Sequence, residues 1–213
     1  VVVFSHAQFI RAAIWHWTYE GDKATEIGME RFRSFVRAMS SADYFSRLAS
    51  GAQDAAVKRL KTAITLTNNY IAETHGDAGM FATIFLGILN TGTGVLTYIN
   101  GGHVPPLLLN RDGIKETLHP TGSAIGAVMD AEHAIRETTI QPGDTLFAYT
   151  DGLTDTTNPA GEYFDEEVLL PLLTGTGKVK SLLAKIQARL AEFASGSACS
   201  DDVTLLAVKH LPI

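Results

Sequence analysis

The sequence contains a single cysteine, Cys199, among its 213 residues. An intrachain disulfide is therefore excluded, and a lone thiol is typical of the reducing cytosol. Long hydrophobic runs are also missing, because the longest nearly continuous apolar stretch, Met80–Leu89, is much too short to span a bilayer. The first residues lack the basic-then-apolar layout of a signal peptide. These absences predict a cytoplasmic protein with no membrane insertion.

Charged residues are scarce at 19%, whereas apolar residues make up 46% of the chain. This balance excludes an intrinsically disordered segment, since enough apolar surface is present to build a core. The 17 Lys and Arg residues against 23 Asp and Glu residues give a net charge of −6. A negative surface repels phosphate backbones and anionic lipid, so nucleic acid and membrane are poor partner candidates. An excess of carboxylates suits the binding of divalent cations.

The first half of the chain has the apolar spacing of helices. Residues 54–74 repeat apolar side chains at intervals of three, four and seven, which predicts a helix with Asp54 as its N-cap and a stop at His75 and Gly76. Residues 25–39 show a second amphipathic pattern, with Phe32 and Phe35 among charged residues. We expect the apolar faces of both helices to pack into the core.

The second half changes to strand patterns. A continuous apolar stretch at 80–89 predicts a strand buried on both faces, and further strands are predicted at 95–99, 107–109, 134–140, 145–149 and 203–208. A helix is predicted at 180–194. Strands in hairpin succession with grouped helices favour an α+β fold over a doubly wound parallel sheet. No linker or repeat interrupts the pattern, so we expect one domain over 1–213.

Two acidic clusters lie at the ends of predicted strands. Asp151 and Gly152 directly follow one apolar strand, and Asp201 and Asp202 directly precede another. Carboxylates at adjacent strand ends would repel one another unless a cation neutralised them, and hard oxygen ligands favour Mg²⁺ or Mn²⁺. Each cluster taken alone also suits an ordinary turn or loop cap. Both interpretations stay open at the level of the pattern.

Five segments, in order and spacing, resemble one protein family. These segments are MFATIFLGILN, LTYINGGHVPPLLL, PTGSAIGAV, PGDTLFAYTDGLTDTTNPAGEYF and SDDVTLLAVK. Together they are similar to the SpoIIE-like branch of the Mg²⁺/Mn²⁺-dependent (type 2C, PPM) bacterial protein serine/threonine phosphatases. The best-matched core is 79–209, which is more than half of the chain.

The resemblance implies two packed, mostly antiparallel β-sheets flanked by helices, an αββα sandwich with two Mn²⁺ or Mg²⁺ ions at one edge. It implies that a metal-activated water hydrolyses phosphoserine or phosphothreonine on a small regulatory protein of the anti-sigma-factor antagonist type. Asp151 and Asp201 match catalytic metal ligands, and Asp202 matches the less critical neighbour. Gly152 would let the backbone approach the metal-bound waters closely.

The front of the chain departs from the family pattern. Family members begin with a strand bearing a Gly-Asp pair and a second strand ending in an Asp-x-x-x-Lys/His-Gly element. Residues 1–19 contain no acidic residue, and Asp22 is the only weak match to a further ligand. Either the first strands of the family are missing, or this is a divergent member with a depleted metal site. The alternative to an enzyme is thus a phosphatase-like binding module, with 1–40 divergent or regulatory.

Two further features complete the set of candidates. His103, in the NGGHVPP turn, occupies a position where the family usually has histidine, and it suits either a loop-bonding or a catalytic role. The aromatic cluster of Trp15, His16 and Trp17 fits a partner surface, a core contact or a homodimer contact. No His spacing suits zinc.

Overall fold

The structure of the protein, a computed structural model, describes residues 2–6, 9–18, 52–76, 79, 81–175, 177–196 and 202–211. The amphipathic pattern predicted as a helix at 25–39 lies outside these residues. The described strands are β1 (Val2–His6), β2 (Phe9–Thr18), β3 (Phe81–Asn90), β4 (Val95–Gly101), β5 (Leu107–Asn110), β6 (Gly113–Thr117), β7 (Arg136–Thr139), β8 (Thr145–Tyr149) and β9 (Leu205–Lys209). The described helices are α1 (Ala52–His75), α2 (Glu166–Leu169) and α3 (Val179–Ala194).

The strands form two antiparallel sheets. The first sheet has the order β1-β2-β3-β4-β7, and the second sheet has the order β6-β5-β8-β9. Every strand pair in both sheets is antiparallel. This arrangement confirms the predicted α+β class with two packed sheets.

The two sheets pack face to face through a shared apolar core. Alternate residues of a strand point to opposite faces, so one face of each sheet supplies this core. The members are Phe85, Leu89, Leu96 and Tyr98 from the first sheet, Leu108, Leu146 and Ala148 from the second, and Leu118 and Ile140 from connections. The ring centroids of Phe85 and Tyr98 are 5.4 Å apart, which adds an aromatic contact to this layer.

Helices cover the outer faces of both sheets. Leu60, Ile64 and Ile71 of α1 pack against Ile84 and Ile99 of the first sheet. On the other side, Leu182 and Ile186 of α3 pack against Phe147 and neighbouring residues of the second sheet. The order of layers is therefore helix, sheet, sheet, helix. This order also explains why β3 reads as a continuous apolar run, since none of its ten residues is exposed.

The sequence-based elements need three corrections. The interpretation of the first half as helical is wrong for 2–6 and 9–18, which form β1 and β2; their β-branched and aromatic residues favour strands. The short strand β6 was not predicted, because its GIKET sequence is charged and mostly exposed. Asp54 is not the N-cap of α1, since the helix begins at Ala52 and Asp54 lies in its first turn.

One end of the sandwich collects several connections. The short segment between β4 and β5 joins the last residue of β4, Gly101, to Leu107, and Leu107 pairs with Phe147 near the end of β8. Tyr149, the last residue of β8, pairs with Leu205, the first residue of β9. The end of β4, the start of β5, the end of β8 and the start of β9 thus share one edge, which we call the site edge.

The described part of the chain contains no helix with the length and hydropathy needed to cross a membrane.

Candidate functional site

Asp151 lies at the site edge, directly after β8. A 3-10 turn at Asp151–Leu153 follows the strand, and Gly152 and Leu153 are buried within it. The Asp151 carboxylate oxygen Oδ1 accepts a hydrogen bond from the Gly152 N–H at 3.1 Å, and the Asp151 carbonyl accepts from the Asp155 N–H at 2.8 Å. The side chain itself is half-buried. Asp151 is therefore held by hydrogen bonds within its own turn.

Thr150 joins this turn to the segment that leads into β9. Its hydroxyl Oγ1 donates to the Asp202 carbonyl at 2.9 Å and accepts from the Thr204 N–H at 2.9 Å. Its own N–H donates to the Thr204 carbonyl at 3.1 Å. Since adjacent strands of a sheet lie about 5 Å apart, the backbones at Asp151 and Asp202 are neighbours across this boundary. The two acidic segments therefore meet through their backbones, and the convergence of their carboxylates stays a prediction.

Of the other three predicted aspartates, the structure describes only Asp202. Asp201 and Asp22 lie outside the described residues, so their roles stay predictions. Asp202 is described and exposed, with its carbonyl fixed by Thr150. Within the residues that the structure describes, no three His, Cys, Asp or Glu side chains form a metal-binding group.

Gly152 contributes its backbone to the site. The hydroxyl of Thr156 donates to the Gly152 carbonyl at 2.7 Å, and Thr156 is itself buried. This bond ties the turn to the chain that continues toward Phe164, whose N–H donates to the Thr156 carbonyl at 2.8 Å. The close approach of the Gly152 backbone to metal-bound waters stays a prediction.

His103 follows β4 at the same site edge and is 1% exposed. Its backbone N–H donates to Asn100 Oδ1 at 2.8 Å, and its ring nitrogen Nδ1 lies 3.1 Å from Thr83 Oγ1. Asn100 in turn donates from Nδ2 to the Leu118 carbonyl at 3.0 Å. These contacts fit the loop-bonding role that the sequence left open for His103.

The surroundings of Tyr149, which lies just before the Asp151 turn, disfavour the ionised form of its phenol. Burial, followed by the nearby Glu166 carboxylate, raises the pKa of Tyr149 to about 12. The Tyr149 ring stacks on Phe147, with ring centroids 5.4 Å apart. Tyr149 therefore stays neutral at physiological pH and acts as a packing residue behind the acidic edge.

The oxygen atoms at the site edge are of the chemical type that a hard divalent cation binds. Asp151 and Asp202 bring carboxylate and backbone carbonyl oxygens to the two segments that Thr150 joins, and Mg²⁺ and Mn²⁺ prefer such ligands. Two carboxylates alone hold such an ion weakly, because ligand number and charge determine affinity. Asp201, next to Asp202 in the sequence, is the nearest residue that would add a third.

Sequence reasoning missed Thr150 and Asn100. Thr150 was quoted only as part of a motif, although a hydroxyl between a buried strand and an acidic turn is a recognisable signal for a local side-chain cap. Asn100 carried a similar signal, since an amide that precedes two glycines often bonds the following loop. The two residues that the Thr150 hydroxyl bonds, Asp202 and Thr204, are more than fifty residues away in the sequence, so no local pattern points to them.

The architecture is similar to that of solved phosphatase domains. The SiaA-PP2C domain of Pseudomonas aeruginosa matches with a TM-score of 0.76 and 16% identity, over 98% of this chain and 78% of that chain. RsbX in complex with magnesium matches with a TM-score of 0.64 and 16% identity, over 96% of this chain and 83% of that chain. The described sheets and helices thus form a PP2C-type phosphatase fold.

The sequence identifies the family within that fold. Residues 24–211 match the family described as Stage II sporulation protein E (SpoIIE), so the chain belongs to the SpoIIE family. Protein IcfG of Synechocystis sp. is 42% identical over 147 residues, which are 68% of this chain. The chain spans only 23% of the length of IcfG. The resemblance drawn from the five sequence segments is therefore confirmed.

Proposed function

We propose that this domain is a metal-dependent protein serine/threonine phosphatase. The observation that carries the proposal is the Thr150 bridge, which holds the Asp151 turn beside the acidic segment before β9. Membership of the SpoIIE family and the PP2C-type fold support the same activity. The substrate that we propose is a phosphoserine or phosphothreonine on a small regulatory protein of the anti-sigma-factor antagonist type.

The residues of the site edge have distinct roles in this proposal. Asp151 and Asp201 would hold Mn²⁺ or Mg²⁺, with Asp202 as a weaker contributor and Asp22 as a further ligand. Gly152 leaves the space beside Asp151 free of a side chain. His103 fixes the loop between β4 and β5 at the same edge. A bound divalent ion supplies a water of lowered pKa and neutralises charge on the phosphoryl group.

The acidic site needs that positive charge to accept a phosphorylated substrate. A phosphoserine carries about −1.5 to −2 charges at neutral pH, so uncompensated carboxylates at the site edge would repel it. The proposal therefore requires activity to depend on added divalent metal. We also propose a cytoplasmic location and a homodimeric assembly. The aromatic cluster at Trp15 and Trp17 fits a homodimer contact, a core contact and a partner surface equally.

The direct test is hydrolysis of a phosphoserine peptide by metal-free protein to which Mn²⁺ or Mg²⁺ is returned. We expect activity only with metal, and a fall of about 100-fold or more in Asp151→Asn and Asp201→Asn, since each removes a charged ligand and even groups that only orient ligands are worth about 10–100-fold. The matched control is Asp112→Asn. Asp112 lies in the exposed turn between β5 and β6, at the end of the second sheet opposite the site edge, and should leave activity unchanged.

Two results would reject the enzyme. Wild-type protein that never releases phosphate, even with excess Mn²⁺, would favour the phosphatase-like binding module, whereas tight Mn²⁺ binding in calorimetry would count against that module. An Asp151→Asn variant with wild-type activity would show that the chemistry lies elsewhere. Testing the full-length protein as well is essential, because the chain spans a small share of its relative IcfG.

A further inference from the structure

Thr150 completes the hydrogen bonding at the point where the β8–β9 ladder ends. The last paired residues of the ladder are Tyr149 and Leu205, and one more backbone bond joins Thr150 to Thr204. Beyond Thr150 the main chain enters the 3-10 turn of Asp151 and leaves the ladder. The Thr204 N–H and the Asp202 carbonyl would then have no main-chain partner on β8. The Thr150 hydroxyl bonds both of them, at 2.9 Å each.

The position of this hydroxyl is fixed by packing. Thr150 is 3% exposed, and it continues a strand whose five residues are all buried. A β-branched side chain has few accessible χ1 rotamers, so the hydroxyl stays directed across the strand boundary. The two bonds that it makes therefore fix the backbone of 202–204 relative to the turn that begins at Asp151.

We propose that Thr150 is a positioning residue for divalent-metal binding, acting by holding the Asp202 backbone beside Asp151. The inference rests on the proposed function, since it takes the carboxylates at the site edge as metal ligands. Thr150 itself does not touch the metal in this proposal. Its contribution is to reduce the freedom of two chain segments that would otherwise each have to be ordered when an ion binds.

Groups that orient metal ligands without contacting the ion typically change metal affinity by about 10–100-fold when they are removed. We therefore expect Thr150→Val, which keeps the shape but removes the hydroxyl, to raise the Kd for Mn²⁺ by about 10–100-fold. Thr150→Ser keeps the hydroxyl and should restore the Kd to within about threefold of wild type.

The measurement is titration of metal-free protein with Mn²⁺, following the EPR signal of the free ion, which is independent of catalytic activity. The matched control is Thr145→Val, because Thr145 is a threonine on the same strand, 1% exposed, at the end remote from the site edge. Thermal unfolding of each variant shows that it is folded. If Thr150→Val does not fold, Thr150→Cys against Thr150→Ser gives the same comparison, since a thiol is a weak hydrogen-bonding group.

The outcomes separate the inference from the proposed function. Weakened Mn²⁺ binding in Thr150→Val (or Thr150→Cys), with Thr150→Ser and Thr145→Val close to wild type, supports the positioning role. Wild-type affinity in a folded Thr150→Val overturns it, and so does equal weakening in Thr145→Val or a failure of serine to restore binding. Wild-type protein that binds no Mn²⁺ would instead overturn the metal site of the proposed function, and this inference with it.

Discussion

Replacing Asn100 by alanine should destabilise the protein through two buried groups that lose their partners. Asn100 is 0% exposed, and its amide accepts from the His103 N–H at 2.8 Å and donates to the Leu118 carbonyl at 3.0 Å. The backbone bonds between Asn100 and Thr121 would remain, since they do not involve the amide. Alanine can satisfy neither the His103 N–H nor the Leu118 carbonyl.

Each buried group left without a partner costs about 1–3 kcal/mol, so the two together cost about 2–6 kcal/mol of unfolding free energy. In a domain of this size each kcal/mol lowers Tm by about 2–4 °C, which predicts a fall of at least about 4 °C. Urea unfolding and thermal melts followed by circular dichroism measure both quantities. Asn110→Ala is the control, because the Asn110 amide bonds only the Asp112 N–H in an exposed turn, where water replaces it.

A free energy of unfolding for Asn100→Ala within about 1 kcal/mol of Asn110→Ala would refute the reasoning. Such a result would mean that water or a shifted loop satisfies the His103 N–H and the Leu118 carbonyl at little cost. It would also weaken the view that Asn100 fixes the loop at the site edge.

Two further predictions concern pH and backbone strain. Burial, with a smaller contribution from Glu116, raises the pKa of Tyr98 in the folded protein. Its contribution to the free energy of unfolding is therefore complete below the unfolded pKa near 10 and falls as pH rises above it, because the unfolded state ionises first. The free energy of unfolding should fall less steeply at alkaline pH in Tyr98→Phe than in wild type, and equal pH profiles would contradict this. Gly102→Ala should lower the free energy of unfolding in urea more than Gly143→Ala does. Both glycines have positive φ, but of the two only Gly102 would place a Cβ 2.9 Å from a backbone atom, the Ala124 nitrogen. Equal losses of unfolding free energy would show that this contact relaxes freely.

Periodicity was sufficient to predict the elements whose packing is regular. The apolar spacing of 54–74 predicted α1, which spans Ala52–His75, and the continuous run at 80–89 predicted β3, which spans Phe81–Asn90. Both elements have strong patterns because each packs a complete face against the core. The helix α3 was predicted for the same reason, with Leu182 and Ile186 on its buried face.

Elements without such a face were harder to predict. β6 lies at the end of its sheet and is mostly exposed, so it lacks an alternating apolar pattern. β1 and β2 were misread because a cluster of apolar and aromatic residues such as 9–18 has no clear period, and pairing with β3 decides its conformation. For the site, strand-end position predicted that the segments of Asp151 and Asp202 would lie at one end of the second sheet, and their backbones do. The Thr150 bridge between them could not be predicted, since it depends on the register of β8 against β9.

The unequal burial of β8 and β9 has a consequence for how the site edge fluctuates. All five residues of β8 are buried, whereas all five residues of β9 are only half-buried, and β9 is the last strand in the order of its sheet. Local opening favours segments with few buried contacts, so separation of β9 costs less free energy than disruption of β8. Fraying of β9 would carry the acidic segment of Asp202 away from Asp151 while the turn stays in place. For the divalent ion that we propose at the site edge, the rate of release would then be set by the lifetime of an edge-strand opening in an otherwise folded domain.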